Sequence, residues 1–362
     1  MSDQLETLFT QPVYAFKQSE KEKTLLAALN ELEAHHRAHC SAYSAITATK
    51  NAPNSVEKLA DLPFLPVRLF KSHLLESISP EDRFKMLASS GTTGQQVSRI
   101  SLDRRTAGYQ TKAMVQIMQS FLGKQRMPML VLDHPSVVKD RLNFSARGAG
   151  ILGMANFGRK HCYALHDETM QPNWDAIDPF LEEFGDGPVF LFGFTFMAWK
   201  YFVRALEESG RTVNIPNGIL VHSGGWKKLL SEAVDNDAFK QRTKAVTGIS
   251  KIHNFYGMVE QVGSIFVECE AGRLHAPSFA DVIIRRAQDW SVADHGEEGL
   301  IQVLSCLPHS YPGHSLLTED LGQITGVDDC PCGRNGHTFA VHGRLPKAEI
   351  RGCSDTFDGA AS

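Results

Sequence analysis

The sequence lacks a long apolar run, which bears on whether the chain crosses a membrane. Its most apolar stretch, residues 188–199, is closed by Lys200 and is shorter than the ~20 residues that a transmembrane helix needs. The amino terminus also lacks a basic segment followed by an apolar core, so it does not resemble a secretory signal. We expect no membrane span, and we interpret residues 188–199 as a buried strand that leads into a helix.

A strong excess of either charge is also missing. The 362 residues contain 37 Lys and Arg against 41 Asp and Glu, which is a formal net charge of -4. Nucleic-acid-binding domains usually carry clustered positive charge, so we expect no nucleic-acid partner. The seven cysteines are an odd number, which favours reduced thiols and a cytoplasmic location, with metal binding or catalysis as their uses.

Three common catalytic signatures are absent or unsuitable. No G-K-[ST] follows the Gly/Thr-rich stretch at residues 89–94, so kinase-type P-loop chemistry is disfavoured. No G-x-S-x-G elbow is present, which argues against a serine thioesterase. Residues 148–153 match G-x-G-x-x-G, but a dinucleotide site needs a strand that runs into the first glycine. The polar residues 141–147 make a poor strand.

Short apolar runs alternate with helical stretches through much of the chain. Residues 19–46 have apolar side chains at helical spacing, which predicts an amphipathic helix or a helix pair. After Phe84 the apolar runs predict four strands, at residues 129–132, 189–192, 218–221 and 251–255. Strands separated by helices indicate an α/β fold with a mainly parallel sheet flanked by helices.

The sequence pattern changes beyond about residue 264, where short segments with the pattern of β-strands alternate with turns that contain Gly and Pro. Four of these are predicted, at residues 265–268, 282–285, 300–304 and 337–341. We therefore divide the chain into an N-terminal helical segment (1–83), an α/β core (84–263), a smaller β-rich subdomain (264–344) and a short C-terminal segment (345–362).

A run of small and hydroxyl-bearing residues follows an apolar run that begins at Phe84. Small residues let backbone N–H groups curl around phosphate oxygens, and hydroxyl groups add further donors. The alternative is a plain Ser/Thr/Gly turn. The residues of this candidate phosphate loop are Ser89, Ser90, Gly91, Thr92, Thr93 and Gly94.

The spelling of this loop resembles the nucleotide-phosphate loop of the adenylate-forming superfamily, especially its phenylacetate–coenzyme A ligase branch. Three further motifs follow in the order that this resemblance requires. Residues 255–260 are similar to an aromatic-Tyr-Gly-x-x-Glu motif. Residues 318–322 are similar to a motif that contains a ribose-binding Asp, and residues 343–344 are similar to the Gly-Arg pair that precedes the hinge. The α/β core would then bind the nucleotide.

The resemblance implies a role for each matching residue. Tyr256 and Gly257 would lie in the nucleotide site, where an aromatic ring stacks near the adenine. Glu260 would help to hold Mg²⁺, Asp320 would grip the ribose hydroxyls, and Arg344 would lie near the ribose and phosphate. The implied fold is that of the N-terminal domain of adenylate-forming enzymes, with ATP and Mg²⁺ as cofactors.

Five further segments resemble the acyl-protein synthetase component of the bacterial bioluminescence fatty-acid reductase, and the resemblance covers nearly the whole chain. It implies that a fatty acid and ATP give an acyl-adenylate, and that a cysteine near the carboxyl terminus then takes the acyl group for delivery to an acyl reductase or a carrier protein. The segments are residues 132–135, 192–195, 221–227 (with Gly224 and Gly225 in the nucleotide site), 310–314 and 343–353.

Cys353 is the candidate acyl acceptor. A thiolate is the competent nucleophile, and the neighbouring Arg351 would favour it. The alternative is an incidental thiol. Most adenylate-forming ligases continue past the hinge into a domain with a catalytic lysine, whereas this sequence stops soon after Arg344. We therefore expect Lys227 and Arg344 to supply positive charge at the α-phosphate, and an internal cysteine to accept the acyl group.

Three cysteines and one histidine form a second candidate site. Such a set can hold Zn²⁺ in a closed tetrahedral site of structural type, and the alternative is a tight turn with reduced thiols. The four residues are Cys269, His275, Cys330 and Cys332.

The favoured hypothesis is thus an acyl-protein synthetase that acts on a long-chain fatty acid. The alternative is an acyl-coenzyme A or carrier-protein ligase that acts on another carboxylic acid. A third hypothesis, from a different class, is a non-catalytic binding subunit. A homo-oligomer is compatible with all three.

Overall fold

The computed structural model describes residues 3–89, 97–139, 146–226 and 232–345. The α-helices in these ranges are α1 (Asp3–Leu8), α2 (Gln18–His39), α3 (Ser41–Thr49), α4 (Leu69–Ser72), α5 (Arg104–Leu122), α6 (Ala146–Ala155), α7 (Trp174–Phe184), α8 (Thr195–Met197), α9 (Arg204–Ser209) and α10 (Asn236–Thr247). The strands are β1 (Leu65–Pro66), β2 (Lys85–Ala88), β3 (Arg99–Leu102), β4 (Met127–Val131), β5 (Gly158–Tyr163), β6 (Phe190–Phe194), β7 (Ile219–Ser223), β8 (Lys251–Tyr256), β9 (Phe266–Glu268), β10 (Leu274–His275), β11 (Ala280–Arg285), β12 (Gly299–Ser305), β13 (Ser315–Val327) and β14 (His337–Arg344).

The chain divides into two compact units. Among the described residues, the first unit contains 3–89, 97–120 and 256–345, and the second contains 121–139, 146–226 and 232–255. None of the helices in the described ranges combines the length and hydropathy needed to cross a lipid bilayer.

The second unit is built on a parallel sheet with the strand order β8-β7-β6-β4-β5. Every residue of β4, β6 and β7 is buried, as is usual for parallel strands covered on both faces. Continuous apolar runs are the sequence pattern of such strands, which is why four of the predicted strands coincide with β4, β6, β7 and β8. The core around this sheet includes Leu130, Leu191, Trp199, Phe202, Leu220 and Phe239.

The apolar stretch 188–199 contains β6 and then α8, so the prediction of a buried strand that enters a helix is confirmed. A π-helical segment, Ala198–Val203, continues α8. The G-x-G-x-x-G run lies inside α6 rather than in a loop. A Cβ atom added to Gly150 would lie 2.9 Å from the ring of Phe194, so this glycine lets α6 approach β6 closely.

The first unit contains an antiparallel sheet with the strand order β11-β12-β13-β14-β10-β9, and β1 pairs in parallel with β13. The predicted segment 19–46 forms a helix pair, α2 and α3, because Cys40 takes an extended conformation between them. The prediction of an α/β fold with a parallel sheet and a β-rich part is therefore confirmed. Separately, β2 and β3 form a two-stranded antiparallel sheet.

A buried ion pair anchors α2 to the antiparallel sheet. Nζ of Lys21 lies 3.3 Å from Oδ2 of Asp281, and both side chains are 1% exposed. Although burial alone would raise it, Lys21 and His337 hold the pKa of the Asp281 carboxyl well below its usual value. A buried charge pair is tolerated only when its other hydrogen bonds are satisfied, and Gln18 Nε2 supplies one at 2.7 Å. The start of α2 is thus fixed to β11.

Candidate functional site

Asp320 accepts hydrogen bonds from two side chains that arrive on different strands. The β13–β14 register places Arg344 directly opposite Asp320, and Arg344 Nε donates to Oδ1 at 2.9 Å. The hydroxyl of Tyr256, the last residue of β8, donates to Oδ2 at 2.7 Å. The side chain of Asp320 is 13% exposed and that of Arg344 is 35% exposed. These three residues form a partly open cluster with a carboxylate at its centre.

The electrostatics of this cluster make Tyr256 a proton donor. Burial, and then the Asp320 carboxylate, raise the pKa of Tyr256 well above its usual value. The hydroxyl therefore keeps its proton at neutral pH. A carboxylate has about four lone-pair positions, so Asp320 can accept from a ligand while Tyr256 and Arg344 hold its orientation.

Glu260 lies next to this cluster in sequence, in a short 3₁₀-helix, Val259–Gln261. Its side chain is 3% exposed. The backbone carbonyl of Glu260 accepts a hydrogen bond from the Tyr311 hydroxyl at 2.9 Å, and Gln261 Nε2 donates to the carbonyl of Gly313 at 2.8 Å. Gly257 precedes this turn and packs closely against Ile265, because a Cβ atom added to Gly257 would lie 3.0 Å from the Ile265 side chain.

Ser89 lies at the base of the candidate phosphate loop. Its backbone N–H donates to the carbonyl of Ser98 at 3.0 Å, and its hydroxyl accepts from the backbone N–H of Ser98 at 2.8 Å. These bonds continue the β2–β3 pairing beyond Ala88 and Arg99. The two strands therefore hold Ser89 and Ser98, which border the candidate phosphate loop, next to each other.

Gly224 and Gly225 follow β7 in the second unit. Gly224 has φ +88°, a left-handed conformation that glycine adopts without a steric penalty. An added Cβ would also lie 3.3 Å from the ring of Phe194. Ser223, the last residue of β7, donates from Oγ to the carbonyl of Phe255 at 2.8 Å. These two glycines thus lie directly after the carboxyl end of a buried parallel strand.

Several of the predicted site residues lie outside the described residues, and the structure does not bear on them. They are Ser90, Gly91, Thr92, Thr93, Gly94, Lys227 and Cys353.

The four predicted metal ligands come together in the first unit. Cys269 directly follows β9 and His275 is the last residue of β10, whereas Cys330 and Cys332 lie in the loop between β13 and β14. The Sγ atoms of Cys269 and Cys330 are 3.6 Å apart, and Cys332 Sγ is 3.4 Å from His275 Nε2. All four candidate ligand atoms lie within 4.8 Å of one another.

The protonation state of the histidine suits a metal ligand. Burial lowers the pKa of His275 to about 4, so the imidazole is neutral at pH 7, the form that binds metal ions. Burial raises the pKa of the Cys269 thiol to about 12, so this thiol would have to give up its proton on binding a metal ion. The cysteines in the described ranges are all free thiols, so none of these sulfurs is used in a disulfide there.

Sequence reasoning missed the contacts of Tyr311 and Gln261. The segment 310–314 carries the family resemblance but no local sign of a contact with Gln261. The contacts join residues about fifty positions apart, and no local pattern encodes such a pairing. The one available signal was a Tyr-Pro-Gly-His turn directly before an apolar strand.

Comparisons with known proteins define the class. The fold is that of adenylate-forming ligases: 2-hydroxyisobutyryl-CoA ligase in complex with 2-HIB-AMP and CoA is similar with a TM-score of 0.70 and 16% sequence identity, over 93% of this chain and 77% of that chain. The family model "Acyl-protein synthetase, LuxE" matches residues 2–361, so the chain belongs to this family. The predicted resemblance and enzyme class are confirmed: this is an ATP-dependent ligase that works through an acyl-adenylate.

Two curated relatives carry the same name, long-chain-fatty-acid–luciferin-component ligase. The Vibrio harveyi protein is 22% identical over 83% of this chain and 78% of its own length. The Aliivibrio fischeri protein is 25% identical over 84% of this chain and 80% of its own length.

Proposed function

We propose that the protein activates a long-chain fatty acid as acyl-AMP and then transfers the acyl group to Cys353. The observation that carries the first half is the Tyr256–Asp320–Arg344 cluster, a carboxylate held by two donors with acceptor positions to spare. The names of the two curated relatives support the choice of acid. An acyl reductase would be the final recipient, or alternatively a carrier protein.

In this proposal the Asp320 carboxylate accepts hydrogen bonds from the two ribose hydroxyls of ATP. Tyr256 and Arg344 prevent the carboxylate from rotating, so little orientational entropy is lost when the nucleotide binds. Arg344 also contributes positive charge near the phosphates, together with Lys227. Gly225 would leave room for the backbone to approach the nucleotide, since an added Cβ there would meet no described atom within 4 Å. Gly224 and Gly257 would contribute backbone groups to the same site.

The phosphates would be held by residues 89–94 through backbone N–H groups and hydroxyls. Glu260 would hold Mg²⁺, since carboxylate oxygens are preferred ligands of this ion. Bound Mg²⁺ supplies charge neutralisation on the triphosphate. The protein's own contribution is mainly positioning and electrostatic stabilisation.

The chemistry then has two displacements. A carboxylate oxygen of the acid attacks the α-phosphorus, and pyrophosphate leaves with the bonding electron pair. The thiolate of Cys353 attacks the carbonyl carbon of the acyl-AMP, the bond between that carbon and the phosphate oxygen breaks, and AMP leaves. The acyl group remains on sulfur as a thioester.

Labelled acid tests both steps. We expect ATP–pyrophosphate exchange that depends on a fatty acid, and label retained on the denatured protein through a bond that hydroxylamine cleaves. Cys353→Ser should keep the exchange and lose the retained label, whereas Cys162→Ser, a matched control at a half-buried cysteine, should keep both. Acylation of coenzyme A or of a carrier by Cys353→Ser would support the alternative ligase. Absence of exchange with every acid would support a binding subunit.

We also propose that Cys269, His275, Cys330 and Cys332 hold one structural Zn²⁺. In a tetrahedral site with Zn–S and Zn–N bonds of about 2.3 and 2.0–2.1 Å, neighbouring sulfurs lie about 3.8 Å apart and sulfur and nitrogen about 3.6 Å apart. The separations of 3.6 Å and 3.4 Å match this geometry. The metal would join the β9–β10 turn to the β13–β14 loop.

Metal analysis of the purified protein tests this site without reference to activity. We expect one zinc per chain, and a melting temperature that a strong chelator lowers. Cys332→Ser should lose the metal and Cys162→Ser should keep it. A native protein that contains no metal, and whose melting temperature is indifferent to the chelator, would contradict the proposal.

The use of the cysteines supports a cytoplasmic location, since free thiols persist in reducing compartments. A homo-oligomer stays a prediction, which gel filtration with light scattering would test.

A further inference from the structure

The loop of residues 310–314, between β12 and β13, contacts the backbone of the turn that carries Glu260. Every residue of this loop is buried. Tyr311 donates from its hydroxyl to the Glu260 carbonyl at 2.9 Å, and Gln261 Nε2 donates to the Gly313 carbonyl at 2.8 Å. A Cβ atom on Gly313 would lie only 2.9 Å from that same Glu260 carbonyl oxygen. The loop and the turn are therefore in direct contact at the Glu260 carbonyl and at the Gln261 side chain.

Residues of α2 and α3 hold His314, the last residue of the 310–314 loop. His314 Nε2 lies 3.1 Å from Oε2 of Glu33 on α2, and both side chains are 1% exposed. Because a carboxylate only accepts hydrogen bonds, His314 is the donor. Tyr43 on α3 donates to the same oxygen, and Arg37 donates to the other oxygen of Glu33. This buried network fixes the position of His314.

The other end of the loop is tied to the strand that follows the candidate phosphate loop. Ser310 Oγ donates to the carbonyl of Ser101 on β3 at 2.8 Å, and the backbone N–H of Ser310 donates to Thr106 Oγ1 at 3.1 Å. The backbone N–H of Ser77 donates to the Ser310 carbonyl at 2.8 Å. The loop thus links β3, α2 and the Glu260 turn within one unit.

A single 3₁₀ turn has little stability of its own, because three residues form few hydrogen bonds and their geometry is poor. The orientation of the Glu260 peptide must then come from outside the turn. A buried carbonyl that loses its hydrogen-bond partner is strongly disfavoured. The bond from Tyr311 holds the Glu260 carbonyl directly, and the bond from Gln261 holds the next residue of the turn against the same loop.

We propose that Tyr311 and Gln261 are positioning residues, which aim the Glu260 carboxylate at Mg²⁺ through their contacts with the 310–314 loop. This inference rests on the proposed role of Glu260. It adds the buried Glu33–His314 network as the support that keeps the loop in place. Neither Tyr311 nor Gln261 touches the reacting atoms.

Tyr311→Phe removes one hydroxyl and keeps the ring. Pyrophosphate exchange should be measured as a function of Mg²⁺ concentration at saturating acid and ATP, beside thermal melting. Loss of one buried hydrogen bond corresponds to about a 5- to 30-fold effect, and we expect the apparent Mg²⁺ constant to rise within this range while the KM for the acid stays unchanged. Tyr109→Phe is the matched control, since its hydroxyl donates to Glu6, far from Glu260 in sequence and on another helix. It should keep the wild-type Mg²⁺ curve.

Gln261→Met provides a second variant if Tyr311→Phe does not fold, because it keeps the side-chain length and removes both donated bonds. It should shift the Mg²⁺ curve in the same direction. Wild-type curves for both variants, with exchange intact, would overturn this inference alone. An equal shift in the Tyr109→Phe control would also overturn it, since the effect would then be general destabilisation. Absence of exchange in the wild type would overturn the proposed function as well.

Discussion

The buried His222 should make the second unit acid-sensitive. Its side chain is 2% exposed, Nδ1 lies 2.9 Å from Thr195 Oγ1, and the ring centroid is 4.4 Å from that of Phe239. Burial, and then the nearby charges of Lys240 and His253, lower the pKa of His222 to about 3. The folded state therefore holds this imidazole neutral throughout the mildly acidic range.

The sign follows from proton linkage. In the unfolded chain a histidine has a pKa of about 6.5. Below that pH the unfolded state therefore binds a proton at His222, whereas the folded state does not. The free energy of unfolding falls by about 1.4 kcal/mol per pH unit. Between pH 7.5 and pH 5.0 the loss from His222 alone is about 2 kcal/mol, with full stability retained above pH 6.5.

Urea unfolding at several pH values measures this loss. Tryptophan fluorescence is a suitable signal, because Trp199 packs in the same core and its ring centroid is 5.9 Å from that of Phe239. Between pH 6.5 and 5.0, His222→Gln should lower the number of protons taken up on unfolding by about one, so that the free energy of unfolding depends less steeply on pH. The exposed His161, changed to Gln, is the control. Identical slopes for wild type and His222→Gln would refute the reasoning.

Three further outcomes are expected. Asp320→Asn should raise the KM for ATP about 10- to 100-fold in pyrophosphate exchange, since each charged hydrogen bond contributes about 1.5–3 kcal/mol, and an unchanged KM would contradict its nucleotide role. Tyr256→Phe should raise that KM by a smaller factor, about 3- to 10-fold, because Arg344 still holds the carboxylate; an effect larger than that of Asp320→Asn would count against a supporting role. Gly322→Ala should destabilise the first unit by about 1–3 kcal/mol in urea unfolding, because the new Cβ would lie 2.3 Å from the carbonyl of Ala340; unchanged stability would show that β13 and β14 can separate there.

The sequence predicted the strands of the second unit well, and the physical reason is burial. Parallel strands covered on both faces are apolar along their whole length, as β6 and β7 are. The edge strand β5 was missed, because its residues Gly158–Tyr163 are mostly polar and its pairing is with β4 alone. The long strand β13 was missed for a related reason: its carboxyl-terminal half is mostly half-buried and contains no apolar run.

The candidate site was only partly accessible from the sequence. Motif order identified Tyr256, Asp320 and Arg344 as site residues. The hydrogen bond between Arg344 and Asp320 depends on the β13–β14 register, which the sequence did not indicate, and the bond from Tyr256 is a tertiary contact between distant segments. The four-residue Cys/His set was recognisable because few ligand types suit zinc. The support of Glu260 by the 310–314 loop could not be foreseen, since it needs tertiary contacts among α2, β3 and the 3₁₀ turn.

The most direct test of the account is ATP–pyrophosphate exchange over a panel of carboxylic acids, followed by mass spectrometry of the protein loaded with the best acid. We predict exchange only when a fatty acid is present, and an added acyl group on the peptide that contains Cys353. A protein that exchanges pyrophosphate with none of the acids would contradict the central claim. Exchange with acyl label on no cysteine would contradict its thioester half.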